Sequence, residues 1–97
     1  MLHLINKSPF NSASLDSCVK VASKGSPILF IEDAIYGAMA GTAIESKITE
    51  IMKDHPIYAL KEDLMARGVS NLIPGIKEID YTGFVELVEQ HKTCTWS

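Results

Sequence analysis

The chain has 97 residues, 46 % of them hydrophobic and 22 % charged, with a formal net charge of −3 and a pI of about 5.5. That length matches the prior of about 100–200 residues per domain, so residues 1–97 read as a single domain with its own core. The acidic balance argues against nucleic-acid binding, which needs a basic stripe to neutralise phosphates; the longest charge-free apolar-rich stretch, Ala34 to Ile44, falls short of the ~20 residues that cross a bilayer.

Leu2 to Ile5 is the first strand candidate. It is followed by Leu15, Cys18, Val19 and Ala22 at i, i+3, i+4 and i+7, the spacing of one helix face, with Ser12 or Ser14 available as N-cap. After a Gly25-Ser26-Pro27 turn, Ile28 to Ile31 is continuously apolar, as expected of a strand covered on both faces. A second helix is expected within Ala34 to Met52, broken near Gly41-Thr42. Ile57 to Leu60 follows Pro56 and is another strand candidate. The helix expected from Lys61 to Arg67 has Glu62 and Asp63 in its first turn, Arg67 in its last and Gly68 placed at C′, each suited to its end. Ile76 to Ile79 is a fourth strand. Tyr81 to His91 reads as a helix with Asp80 as N-cap and Phe84, Leu87, Val88 and His91 on one face. Thr93 to Trp96 alternates and supplies a short edge strand. Strand and helix alternate at βαβ spacing, and the right-handed crossover rule puts helices on both faces of a mainly parallel sheet.

Reactive groups are few. There is no Cys-x-x-Cys pair, no glycine-rich phosphate loop and no Ser/His/Asp set at a recognisable spacing. The two cysteines, Cys18 and Cys94, are too few and too far apart for a disulfide framework, and read as reduced thiols of a cytosolic protein. The opening MLHLINKSPF lacks the 7–15-residue apolar stretch of a secretory signal. Cys18 carries two readings. Its spacing places it with Leu15, Val19 and Ala22 on the face expected to be buried, where a thiol serves as a small apolar side chain. Its position within one or two turns of the helix start would instead let backbone N–H groups stabilise a thiolate. Cys94 shares a strand face with Trp96 and reads as packing or incidental exposure. His3, His55 and His91 are scattered singly and read as surface or boundary residues. No pair of Cys and His has metal-ligand spacing.

Glu32 and Asp33 end the second strand, where open α/β sheets place ligand sites, and resemble the acidic pair of phosphoacceptor receiver domains. No aspartate ends the strand at Leu60 and no late lysine follows an apolar strand, so Asp33 reads as a helix cap. Gly37 and Gly41, like Ala34 and Ala38, stand four apart and allow close approach of a backbone, from the chain's own sheet or from another subunit. Asp63 and Arg67 read as a surface pair worth a few tenths of a kcal/mol.

Four segments together resemble the DsrH/TusB family of sulfur-relay subunits. They are MLHLINKSPF at the start, IEDAIYGAMAGT from Ile31 to Thr42, ALKEDLMARG from Ala59 to Gly68 and IDYTGFVEL from Ile79 to Leu87, with Trp96 near the end. The resemblance covers nearly the whole chain. It implies a three-layer α/β/α fold with a mainly parallel sheet of four to five strands. It also implies a small subunit of a cytoplasmic heterohexamer that passes sulfur as a persulfide. The implied partners are DsrE/TusD-like and DsrF/TusC-like chains and a DsrC/TusE-like acceptor, with no direct nucleic acid, no membrane, no metal and no organic cofactor. LDSC, Leu15 to Cys18, is similar to the DsrH-like pattern, which favours a DsrEFH-type relay in sulfur oxidation over TusBCD-type 2-thiolation of tRNA wobble uridine. In that reading Cys18 is the candidate persulfide carrier. Its thiolate attacks the outer sulfur of a donor persulfide, releases the donor thiolate, and yields the sulfur to an acceptor thiolate. The family also implies that the principal sulfur-carrying cysteine belongs to the DsrE/TusD-like partner. A scaffold subunit with no thiol chemistry and a stand-alone flavodoxin-like binding module are the alternatives.

Overall fold

Five short strands form one sheet. β1 (Leu2–Ile5), β2 (Ile28–Phe30), β3 (Ile57–Leu60), β4 (Lys77–Ile79) and β5 (Thr93–Trp96) lie in the order β4-β3-β2-β1-β5, every neighbouring pair parallel. The computed structural model describes residues 1–97. Between the strands run α1 (Ser14–Val21), a 3₁₀ helix (Glu32–Ala38), α2 (Glu45–Ile51), α3 (Lys61–Ala66) and α4 (Tyr81–Gln90). The fold is α/β with an all-parallel five-stranded sheet, as the alternation of elements predicts.

The connections assign the faces. The chain steps from β1 to β2 to β3 to β4 in one direction, so right-handed crossovers put their helices on one side of the sheet. The step from β4 to β5 runs back past three strands and puts α4 on the other side. The packing agrees. Ile5, Ile28, Phe30, Ile57 and Ala59 join Leu15 and Cys18 of α1, Ile48 and Ile51 of α2 and Leu64 of α3 in a core of 15 buried residues. Leu2, Leu4 and Leu29 point the other way and meet Phe84 and Leu87 of α4. The first side is deep and the second thin: α4 has no fully buried residue. Burying a side chain such as Phe30, Ile28 or Ile57 contributes about 1.5–3 kcal/mol, so most of the stability comes from the α1–α3 side. No helix is long and apolar enough to cross a membrane.

The helix ends follow their sequence signals unevenly. Asp80 caps α4 by accepting from the Gly83 N–H at 2.8 Å. Gly68 ends α3 with φ +68. Its N–H donates to Met65 (3.2 Å) and that of Val69 to Leu64 (2.9 Å), the paired bonds of a Schellman cap. Neither expected serine caps α1. Ala13 stands at its N-cap without a side-chain bond, and Ser12 Oγ accepts from the Ser14 N–H at 3.1 Å. The second helix is also broken earlier and more fully than expected. Ala40 N–H donates to Asn71 (2.8 Å), Ile73 N–H to Ala38 (2.9 Å), and Met39 bridges to Leu72. The loop after α3 thus draws Met39 into extended backbone and turns the chain at Ala40, and a nonlocal pairing overrides local helix propensity.

The small residues of this segment serve an intramolecular contact. Ala34 and Ala38 are fully buried, and a Cβ added at Gly37 would lie 2.7 Å from Pro9 Cγ. The proline ring cannot swing aside, so Gly37→Ala is expected to cost about 1–3 kcal/mol. A urea-unfolding midpoint that falls accordingly checks this; an unchanged midpoint contradicts it.

Candidate functional site

Cys18 is the fifth residue of α1, one turn beyond the helix start. The apolar spacing that includes it turns it inward. Its side chain is 0 % exposed and packs in the core with Leu15, Ile5 and Ile28, with Val19 and Ala22 against the same cluster. The free N–H groups of a helix belong to its first turn, so they lie behind Cys18 and lend its sulfur little. Burial pushes the thiol up to about 11, with a smaller contribution from Cys94. At neutral pH that leaves about one thiolate in ten thousand. An open cleft of about 650 Å³ lies between α1 and α2, lined by Asp16, Lys20, Lys24, Lys47, Glu50 and Asp54 over a floor that includes Val19, Ile51 and His55. Cys18 does not line it. Ion pairs join Lys47 to Asp16 and Lys24 to Asp54 at its walls.

Cys94 is half-buried on β5, in register with His3 and on the same face as Trp96. His3 and His55 lie deeper than the expected surface or boundary position: each is only 5 % exposed. His3 Nδ1 accepts from the Trp96 indole N–H at 3.1 Å, and His55 Nδ1 lies 3.0 Å from the Ser26 carbonyl. His91 is half-buried at the end of α4. No three His, Cys, Asp or Glu side chains come together in a group able to hold a metal ion.

The acidic residues at the carboxyl ends of the strands form a structure that their sequence positions conceal. Ile31, not Asp33, is the N-cap of the 3₁₀ helix, and no side chain caps it. Asp33 Oδ1 instead accepts from Arg67 Nε at 3.1 Å, and Arg67 Nη1 stands 3.7 Å from Asp63 Oδ1. Asp63 Oδ2 accepts from the Glu32 N–H at 2.7 Å, where Glu32 adopts φ +51, a left-handed conformation that costs a side-chain-bearing residue about 1–2 kcal/mol. Asp63 and Arg67 are therefore more than a surface pair. They fasten α3 to the 3₁₀ helix and hold a strained residue at the end of β2. Adjacency of β2 and β3 creates this cluster, and the only sequence signal for it is an Asp-x-x-x-Arg placed one helix after an acidic strand end. Nearby, Glu62 accepts from the Tyr81 N–H at 3.2 Å. Asp33, Glu62, Asp63 and Asp80 are thus each engaged by a donor, and none stands free beside a nucleophile.

The chain as a whole is similar to known proteins. A family model described as DsrH like protein matches residues 7–94. The chain belongs to the DsrH-like family. Protein TusB of Shigella sonnei (strain Ss046) is 35 % identical over 96 residues, 96 % of each chain. Protein TusB of Photorhabdus laumondii is 34 % identical over 98 residues, covering 99 % of this chain and all of the relative. In fold, the DsrH-like chain is similar to the YchN protein of Escherichia coli, with a TM-score of 0.79, 16 % identity and coverage of 98 % and 97 % of the two chains.

In this DsrH-like chain the thiol chemistry follows burial. A thiol probe added to the native chain at neutral pH should label Cys94 and leave Cys18 unlabelled until denaturant is added. Labelling of Cys18 at a rate like that of Cys94 in the native chain contradicts the sealed placement.

Proposed function

We propose that this protein is the TusB-like subunit of a TusBCD-type sulfur relay, and that it serves the relay as a structural partner rather than as a sulfur carrier. The relatives named TusB, matching along nearly the whole chain, support the relay assignment and favour delivery of sulfur to 2-thiouridine of tRNA. The observation that carries the structural role is the sealed Cys18, with a thiol raised to about 11. A persulfide carrier must meet a donor and an acceptor in turn, and needs an accessible, ionised sulfur. The LDSC resemblance favours sulfur oxidation; the relatives named TusB, which match along nearly the whole chain, weigh toward tRNA thiolation instead.

In this reading the partners are TusC-like and TusD-like chains, the TusD-like chain bringing the transferring cysteine and a TusE-like protein receiving the sulfur. The complex works in the cytoplasm, and this chain meets neither tRNA nor membrane directly. Its contribution is shape. The strand-end cluster of Asp33, Asp63 and Arg67 fixes the surface around Glu32 and Tyr36, which is exposed, and α4 presents Tyr81, Val85 and Val88 to the outside.

The test is complementation of a bacterium lacking its own TusB chain, read as 2-thiouridine in total tRNA. Wild type and Cys18→Ala are expected to restore thiolation equally, within about twofold, once the modest packing loss of a buried side chain has been checked by thermal unfolding. Failure of the wild-type chain to restore thiolation while co-purifying with TusC-like and TusD-like chains contradicts the pathway. Loss of thiolation in a folded, assembled Cys18→Ala variant contradicts the structural role.

A further inference from the structure

The edge strand β5 is tied to β1 by more than its backbone ladder. Its partner in register with Ile5 is Trp96, and with His3 is Cys94. The Trp96 indole crosses to His3 and donates Nε1–H to Nδ1 at 3.1 Å, the two rings 6.2 Å apart between centroids and tilted by 44°. A second side-chain bond, Asn6 Nδ2 to Ser97 Oγ at 3.2 Å, lies beside it. Trp96 also packs against the main core. The indole is only a donor, so the bond exists only while His3 Nδ1 carries a lone pair and its proton sits on Nε2.

We infer that His3 and Trp96 form a proton-sensitive latch on the C-terminal strand: protonation of His3 turns Nδ1 into a second donor, breaks the bond to the indole, and loosens β5 from β1. The groups that act on His3 do not compensate the new charge. The charged and titratable groups facing His3 are the Met1 ammonium and His55, both of which oppose a positive imidazole. Cys94 on β5 and Cys18 on α1 are the others, and both are thiols. Asp16 and Lys20 of α1 lie on its exposed side. His3 is 5 % exposed, so water cannot solvate the cation in place.

The sign follows from the same facts. Burial, then the Met1 ammonium and then His55, hold His3 below its ordinary 6.5. The open or unfolded chain therefore takes the proton first. The latch is fully engaged above about pH 6.5, and its contribution is lost as pH falls through the lower value of the closed state.

Trp96 is the only tryptophan, so one indole N–H resonance reports the bond. In the full chain that resonance is expected to move toward the position of free indole between about pH 7.5 and about pH 5. Over the same range, hydrogen exchange of the β5 amides, corrected for intrinsic rate, should rise about tenfold relative to β2, the effect of losing one hydrogen bond. His3→Gln keeps an acceptor and has no proton to gain, so both changes should vanish. An indole resonance that does not move, or one that moves equally in His3→Gln, overturns the proposal. Trp96→Phe keeps the test decisive if His3→Gln does not fold: its β5 exchange should already be fast at about pH 7.5 and show no acid step, and an acid step of wild-type size overturns the latch.

Discussion

One topological reversal governs this molecule. The chain lays β1 to β4 side by side and then crosses back to place β5 against the free side of β1. This makes the first strand interior and puts residues 93 apart, His3 and Trp96, within hydrogen-bond reach. It also divides the helices, three with the 3₁₀ turn on one face and α4 alone on the other. The deep face needs α1 pressed against β1, and Cys18 lies in that contact. Exposing its sulfur would mean lifting α1 from the core, at the cost of the burial that Leu15 and its neighbours contribute.

The thin face has the opposite character. Phe84 and Leu87 cover Leu2, Leu4 and Leu29, while Tyr81, Val85 and Val88 stay exposed; Val88, expected on the packed face with Phe84 and Leu87, is left outside because so short a sheet covers only part of the helix. The Tyr81 ring lies 5.8 Å from that of Phe84, so the exposed apolar groups adjoin the ones that pack on the sheet. The charged cluster ties the elements that follow β2 and β3 at the carboxyl ends of these interior strands, with Arg67 joining two acidic side chains from different elements.

Much of this was legible in the residues. The runs Leu2 to Ile5, Ile57 to Leu60 and Thr93 to Trp96 become strands with the expected limits, and Asp80 and Gly68 end their helices as their chemistry dictates. These are local signals, set by side-chain periodicity and backbone φ. The misses share a nonlocal cause. Met39 and Ala40 leave helical backbone because Asn71 and Leu72 pair with them. Asp33 gives up a capping role because Arg67 comes within reach across β2 and β3. His3 reads as a surface or boundary histidine until a strand from the other end of the chain closes over it. For Cys18, periodicity stated the burial correctly, and the candidate role drawn from the LDSC resemblance is what the sealed sulfur argues against.

Whether sulfur bypasses this subunit is decided on the assembled complex. The complex is incubated with a persulfide donor, and each cysteine peptide is then read by mass spectrometry under non-reducing conditions. An added sulfur atom is expected on the TusD-like partner and none on the peptide containing Cys18. An added sulfur on Cys18 in the native assembly would contradict it.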